Sequence, residues 1–155
     1  MHTHPPITRL RPVIQQLIKD RQFHLALLAG VVVVWAFGAL LHPSAPAAWQ
    51  APWRFFQLVM LFPLLEEILF RGLIQGSLAR RLPGRDGPLT HANLGATILF
   101  VLAHLFTHSL WWAVAVLIPS LVFGYFRDRY QHLLPSILLH CFYNSVFFLI
   151  FPLPR

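Results

Sequence analysis

Residues 55–79 read FFQLVMLFPLLEEILFRGLIQGSLA, an apolar stretch that also holds three ionisable side chains, Glu66, Glu67 and Arg71. A membrane-spanning helix needs about 20 apolar residues, and this stretch is long enough to provide them. A charged residue at the centre of a span costs about 2.5–3.5 kcal/mol or more, so such residues are usually functional or form structural ion pairs. The stretch therefore predicts a transmembrane helix that carries polar chemistry.

The composition of the whole chain agrees with a membrane location. Of 155 residues, 57% are hydrophobic and 11% are charged, and the mean hydropathy is +0.62. Soluble domains carry about 25% charged residues. The net charge of +7 comes mainly from arginines at the ends of apolar segments. This pattern fits the positive-inside rule better than nucleic-acid binding, which we do not expect.

Apolar periodic segments divide the chain into spans and short connections. Backbone polar groups within the hydrocarbon must pair internally, so the spans are expected to be helices. We predict an all-α fold, a polytopic membrane helix bundle of about five transmembrane helices. Residues 1–23 form a cytoplasmic juxtamembrane arm, and 24–155 form one membrane-embedded domain with its core at 55–151. The predicted spans are 24–41, 55–79, 93–107, 111–126 and 135–151.

Two features of the ends of the spans concern processing and topology. Ala45-Pro46-Ala47 resembles a signal-peptide cleavage site, but the apolar segment before it is longer than the usual ~7–15 residues, which favours a retained anchor. The arm and the loops after the second and fourth spans hold nine Lys and Arg residues, whereas the opposite side holds only Arg54 and Arg155. This asymmetry predicts a cytoplasmic N-terminus and an external C-terminus.

The two adjacent carboxylates have different expected partners. Glu67 and Arg71 are four residues apart, so they share a helix face and can pair. The alternative is that Arg71 binds a substrate carboxylate. Glu66 lies about 100° around an α-helix from Glu67 and is expected to point elsewhere. Glu66 is therefore the carboxylate that the pattern favours for catalysis.

Polar residues of three spans are expected at one depth. At about 1.5 Å per residue, Glu66, His104, His140 and Asn144 fall within a turn or two of the same level in a hydrocarbon core of about 30 Å. A desolvated glutamate is suited to act as a general base, and a neutral histidine beside it can hold water. A second imidazole and a carboxamide can donate hydrogen bonds to an oxyanion. The set suits hydrolysis.

Three motifs in these spans resemble those of one protein family. Glu66-Glu67-Ile-Leu-Phe-Arg71-Gly72 is similar to the EExxxR motif of the CAAX protease and bacteriocin-processing family, the glutamic intramembrane peptidases. Phe100-Val-Leu-Ala-His104 resembles the family's FxxxH motif, and His140-Cys-Phe-Tyr-Asn144 resembles its HxxxN motif. Each motif alone is weak, but their order and their placement within predicted spans make the resemblance specific. It covers about residue 55 to the C-terminus.

The resemblance implies a peptidase that needs no metal or other cofactor. Glu66 and His104 would activate water, His140 and Asn144 would stabilise the oxyanion, and Glu67, Arg71 and Phe100 would support them. The chain is shorter than most members, so a second copy or a partner helix is an expected way of completing its cavity. Short bacterial members of the C-terminal sorting type act on membrane proteins near a C-terminal anchor. The implied location is a bacterial inner membrane.

Three other interpretations compete with this prediction. Glu66, His104 and His140 are also residue types that bind zinc in hydrolytic sites, although no HExxH motif occurs in the chain. A non-proteolytic scaffold or immunity-type binding protein would retain the motifs for structure. A proton-coupled transporter also uses intramembrane Glu and His, but Asn144 cannot titrate.

Overall fold

The computed structural model of the chain describes residues 10–41 and 51–153, and within them every element except one short hairpin is helical. The elements are α1 (Leu10–Lys19), α2 (Arg21–Leu41), α3 (Pro52–Phe56), π1 (Gln57–Leu61), α4 (Phe62–Glu66), π2 (Glu67–Gln75), α5 (Gly76–Arg81), β1 (Arg85–Asp86), β2 (Leu89–Thr90), α6 (His91–Leu105), α7 (Leu110–Ala115), α8 (Leu117–Tyr130) and α9 (Leu134–Ile150).

The five predicted spans correspond to five helical passes. They are α2, the continuous helical run 52–81, α6, the pair α7 and α8, and α9. Two stretches, Arg21–Leu41 and Leu110–Tyr130, are each 21 residues long and apolar enough to cross a membrane, and α6 and α9 are shorter apolar helices. Some predicted features lie outside the described residues, namely the cleavage-like site at 45–47, residues 1–9 of the arm and Arg155.

The fourth pass is broken where the sequence pattern predicted a single helix. Val116 separates α7 from α8 and is a turn residue. Pro119 follows in the first turn of α8, where a missing N–H costs no helical hydrogen bond. Pro119 cannot donate to the carbonyl of Ala115, so an uninterrupted α-helix across this point would lack one bond.

Part of the predicted arm is helical, which our prediction did not include. Leu10–Lys19 forms α1, and its Leu17 is buried against the bundle. Asp20 separates α1 from α2 and caps α2, because its Oδ1 accepts a hydrogen bond of 2.9 Å from the backbone N–H of Gln22. The first pass therefore begins at Arg21 rather than at residue 24.

The helical run 52–81 departs twice from α-helical hydrogen bonding. In π1 the N–H of Phe62 donates to the carbonyl of Gln57, five residues back. Under the same pattern the carbonyl of Leu58 would need the N–H of residue 63, which is proline and has none. We expected an α-helix throughout this pass. The structure instead has π2 from Glu67 onward, and the predicted pairing of Glu67 with Arg71 is retained within it.

Close packing between passes depends on small residues. α8 packs against both α6 and α9, and α2 packs against α9. A Cβ atom on Gly30 of α2 would overlap the ring of Tyr143, and one on Gly124 of α8 would overlap the side chain of Asn93. The bundle's outer surface is apolar, with Trp35 at 67% and Phe106 at 91% exposure among its lipid-compatible side chains.

Candidate active site

A carboxylate and an imidazole meet at the centre of the bundle. Oε1 of Glu67, at the start of π2, lies 2.9 Å from Nδ1 of His140 on α9. The Glu67 side chain is fully buried, and that of His140 is 8% exposed. A carboxylate at this distance accepts a hydrogen bond from Nδ1–H, which fixes the orientation of the ring and leaves Nε2 directed away from Glu67.

The other nitrogen of the same ring faces the second carboxylate. Nε2 of His140 lies 3.5 Å from Oε2 of Glu66. The expectation that Glu66 and Glu67 would point in unrelated directions was wrong, because both converge on one imidazole. They differ in accessibility, with the side chain of Glu66 33% exposed and that of Glu67 at 0%. Of the two, only Glu66 is open to a water molecule or a substrate.

Arg71 forms the predicted pair with Glu67 and is also held by hydrogen bonds to Ser120. Its Nε lies 3.5 Å from Oε2 of Glu67, and both side chains have 0% exposure. Its Nη2 donates to the backbone carbonyl of Ser120 at 3.0 Å and to the Ser120 hydroxyl at 2.8 Å. The alternative in which Arg71 grips a substrate carboxylate does not fit a guanidinium that is fully enclosed.

Polar side chains extend this anchor across the bundle. The hydroxyl of Ser120 donates to Thr97 at 3.0 Å, and Thr97 donates to Oδ1 of Asn93 at 3.3 Å. Asn93 Nδ2 donates to the carbonyl of Leu121 at 3.0 Å. This series of hydrogen bonds joins the long helical run to α6 and α8 through buried groups. Residues outside the three motifs therefore hold Arg71 in position, and Arg71 in turn holds Glu67.

Ser120, Thr97 and Asn93 were not identified as part of the site by the motif argument. The signal available in the sequence was their polarity within spans that are otherwise apolar. Polar groups inside a bilayer normally face other protein groups, but sequence spacing alone does not specify which helices meet.

Phe100 and His104 lie along one face of α6. The Phe100 ring is 2% exposed and lies under the guanidinium of Arg71, with Cζ 5.4 Å from the ring centroid. It contacts both histidines, with ring centroids 4.4 Å from His104 and 6.2 Å from His140. Nδ1 of His104 donates to the carbonyl of Phe100 at 3.0 Å, so a neutral His104 presents Nε2 as an acceptor.

Asn144 is held by the irregular backbone of the long helical run. Its Nδ2 donates to the carbonyl of Leu58 at 2.9 Å, the carbonyl that Pro63 leaves without a helical partner. A carboxamide nitrogen carries two N–H groups, so one remains for another acceptor. Asn144 is therefore fixed in place without losing its capacity to donate.

The zinc alternative finds no ready ligand set in the part of the chain that the structure describes. No group of three or more His, Cys, Asp or Glu side chains there is arranged to hold a metal ion.

Comparison of the sequence with known proteins identifies a family to which the chain belongs. Residues 47–146, which include the three motifs, match the family model described as type II CAAX prenyl endopeptidase Rce1-like. No curated protein and no solved structure gives a significant match. The match spans well over half of the chain and accounts for its apolar helices as those of a polytopic membrane protein. The chain belongs to the Rce1-like family of CAAX endopeptidases.

Proposed function

We propose that this protein is a glutamic intramembrane endopeptidase in which Glu66 and His104 activate the water that attacks a substrate peptide bond. The observation that carries the proposal is the difference between its two central carboxylates. Glu67 is sealed between His140 and Arg71, whereas Glu66 contacts the same imidazole and remains one-third exposed. Within an endopeptidase family, an accessible carboxylate at the centre of the bundle is suited to general-base chemistry.

The proposed reaction uses the groups as follows. Glu66 takes a proton from water, which His104 Nε2 helps to hold, and the water oxygen attacks the carbonyl carbon. Nε2–H of protonated His140 and the second N–H of Asn144 donate to the oxyanion. The C–N bond then breaks as Glu66 returns the proton to the leaving amine.

Glu67 and Arg71 act as positioning residues in this mechanism. The carboxylate of Glu67 accepts from His140 Nδ1–H and stabilises the protonated ring. Arg71 holds the Glu67 carboxylate in place. The arrangement resembles the role of an acidic residue behind a catalytic histidine in other hydrolases.

The proposed substrate is a membrane-associated protein cleaved near its C-terminal anchor. The resemblance of the three motifs to those of bacterial members of the sorting type supports an anchoring helix as the recognised segment. The family description names prenyl endopeptidases, so a lipid-modified C-terminus is the competing substrate class. We propose a bacterial inner membrane as its location, as the motif resemblance implies. The distribution of Lys and Arg supports a cytoplasmic N-terminus. A second copy or a partner helix remains the proposed means of completing the cavity.

The proposal is tested by sequencing protein C-termini in membrane and secreted fractions of cells that do or do not express the protein. New C-termini next to a transmembrane or lipidated segment are expected only with expression. The same cleavage should continue in isolated membranes treated with a chelator. Loss of cleavage that added zinc restores would favour the metal mechanism, and the absence of any new terminus would favour the scaffold.

A further inference from the structure

A cavity of about 430 Å³ opens at the basic end of the bundle and is separate from the candidate active site. It lies between the last turn of α5, the hairpin that follows and the last turns of α8. No residue of the three motifs lines it. Its wall combines apolar groups such as Leu82 with the side chains of Arg85, Arg127, Arg129 and Asp128.

The lining of the cavity carries more positive than negative charge. Three arginines face one aspartate, Asp128, which lies 2.9 Å from Arg127. Arg129 is paired with Asp20 at 3.0 Å. Arg85 differs from both, since no carboxylate within 10–41 or 51–153 lies within ion-pair distance of it.

Arg85 is also held in place. Its Nε donates to the carbonyl of Gly87 at 2.9 Å and its Nη2 to that of Pro88 at 3.4 Å. These bonds fold the side chain onto its own turn, and no group among residues 10–41 or 51–153 accepts a hydrogen bond from Nη1. A guanidinium with a fixed position and an unbalanced charge is suited to bind a phosphate oxygen.

The position of the cavity indicates which kind of molecule would carry that phosphate. The 21-residue apolar stretch Leu110–Tyr130 ends at it, and Arg80 and Arg81 close the neighbouring helical run beside it. Basic residues at the end of a membrane span lie at the level of lipid headgroups, where pockets of this kind bind acidic phospholipids. The volume is within the range of about 300–1,000 Å³ that ligand sites occupy.

We propose that this cavity binds the phosphate of an acidic phospholipid headgroup, with Arg85 as its principal contact. The apolar wall formed by Leu82 and its neighbours accommodates the glycerol and the first methylene groups. The site is independent of the proposed peptidase chemistry, because it shares no residue with it.

The test titrates the purified full-length chain in neutral detergent with dioctanoylphosphatidylglycerol and counts bound lipid by native mass spectrometry. Dioctanoylphosphatidylcholine and inorganic phosphate are titrated in parallel. Saturable binding of the acidic lipid is expected, with weaker binding of both comparators. Arg85→Gln should weaken that binding about tenfold or more, as loss of a charged hydrogen bond does.

Two further variants separate the cavity from general charge attraction. Arg81→Gln removes the same charge at the same end of the bundle. Arg81 is exposed, as Arg85 is, but does not line the cavity, so this variant should change the affinity less than about twofold. Leu82→Glu places a negative charge on the wall at a position that is 46% exposed, and should weaken binding as Arg85→Gln does. Equal effects of Arg81→Gln and Arg85→Gln, or no saturation, would overturn the proposal. Phosphate binding as tight as lipid binding would overturn the lipid assignment.

Discussion

Oε1 of Glu67 and Nδ1 of His140 lie 2.9 Å apart in the enclosed centre of the bundle. This contact joins the long helical run to the last pass and determines which ring nitrogen of His140 faces Glu66. The second carboxylate of the EExxxR motif therefore acts on its histidine, whereas the first is left to face the accessible side. The two adjacent carboxylates of the motif therefore make different contacts in the structure.

Glu67→Gln should lower both stability and activity. The substitution removes the charge that balances Arg71 in a fully buried pair, and breaking such a pair costs about 3–5 kcal/mol. Thermal unfolding in detergent should show a large decrease in Tm. The matched control is Glu66→Gln, whose side chain is one-third exposed and whose Tm should change little. Equal melting temperatures for wild type and Glu67→Gln would show that the pair contributes little to stability.

Ser120→Ala should destabilise the protein through Arg71. The Ser120 hydroxyl accepts a hydrogen bond from Nη2 of Arg71 at 2.8 Å. Removing the hydroxyl leaves this buried donor with one acceptor fewer, which should lower the free energy of unfolding by about 1–3 kcal/mol. Ser77→Ala is the control, because the Ser77 hydroxyl accepts from Arg80 at an exposed position and its removal should cost less than about 0.5 kcal/mol. The two variants are compared by thermal unfolding. Indistinguishable effects would mean that the hydroxyl does not position Arg71.

Asp20 should make stability depend on pH in the acidic range. Burial raises the pKa of its carboxyl, but hydrogen bonds from Tyr130, Gln22 and Arg129 and the charge of Arg129 outweigh burial and leave the pKa lowered. A lowered pKa in the folded state stabilises the protein above the unfolded value of about 3.9, and that contribution is lost as the pH falls through the folded pKa.

The measurement compares wild type with Asp20→Asn, since asparagine also caps helices well and so retains the cap. Wild type should have the higher Tm at neutral pH, by an amount that stays constant down to about pH 4 and shrinks below it. A difference in Tm that is independent of pH across this range would contradict the assignment.

The sequence predicted the passes and the motif residues better than it predicted their contacts. The apolar segments of the sequence correspond to five helical passes, two of which have the length and composition needed to cross a membrane. The π-helical segments were missed because they arise from tertiary context, and no local pattern in 57–75 other than Pro63 indicates them. The convergence of Glu66 and Glu67 on His140 was missed for the same reason, since it depends on the widened helix and on the approach of α9.

The buried hydrogen bonds that link Ser120, Thr97 and Asn93 could not be predicted from the sequence for a different reason. Its members lie on different passes, and their partnership depends on which helices pack together. α1 was not predicted because 1–23 was interpreted only as a basic arm. Its apolar residues nevertheless follow helical spacing, at Leu10, Val13, Ile14, Leu17 and Ile18, and Leu17 packs with the core. Spacing within one helix can be read from a sequence, but adjacency between helices cannot.

The central claim, that Glu66 is the general base, is tested most directly by comparing protein C-termini in cells expressing wild type and Glu66→Gln at equal membrane levels. Removing a general base typically reduces the rate about 10²–10⁴-fold. New C-termini near a membrane anchor should therefore appear with wild type and be absent with Glu66→Gln. If Glu66→Gln generates the same termini at the wild-type rate, Glu66 is not the general base.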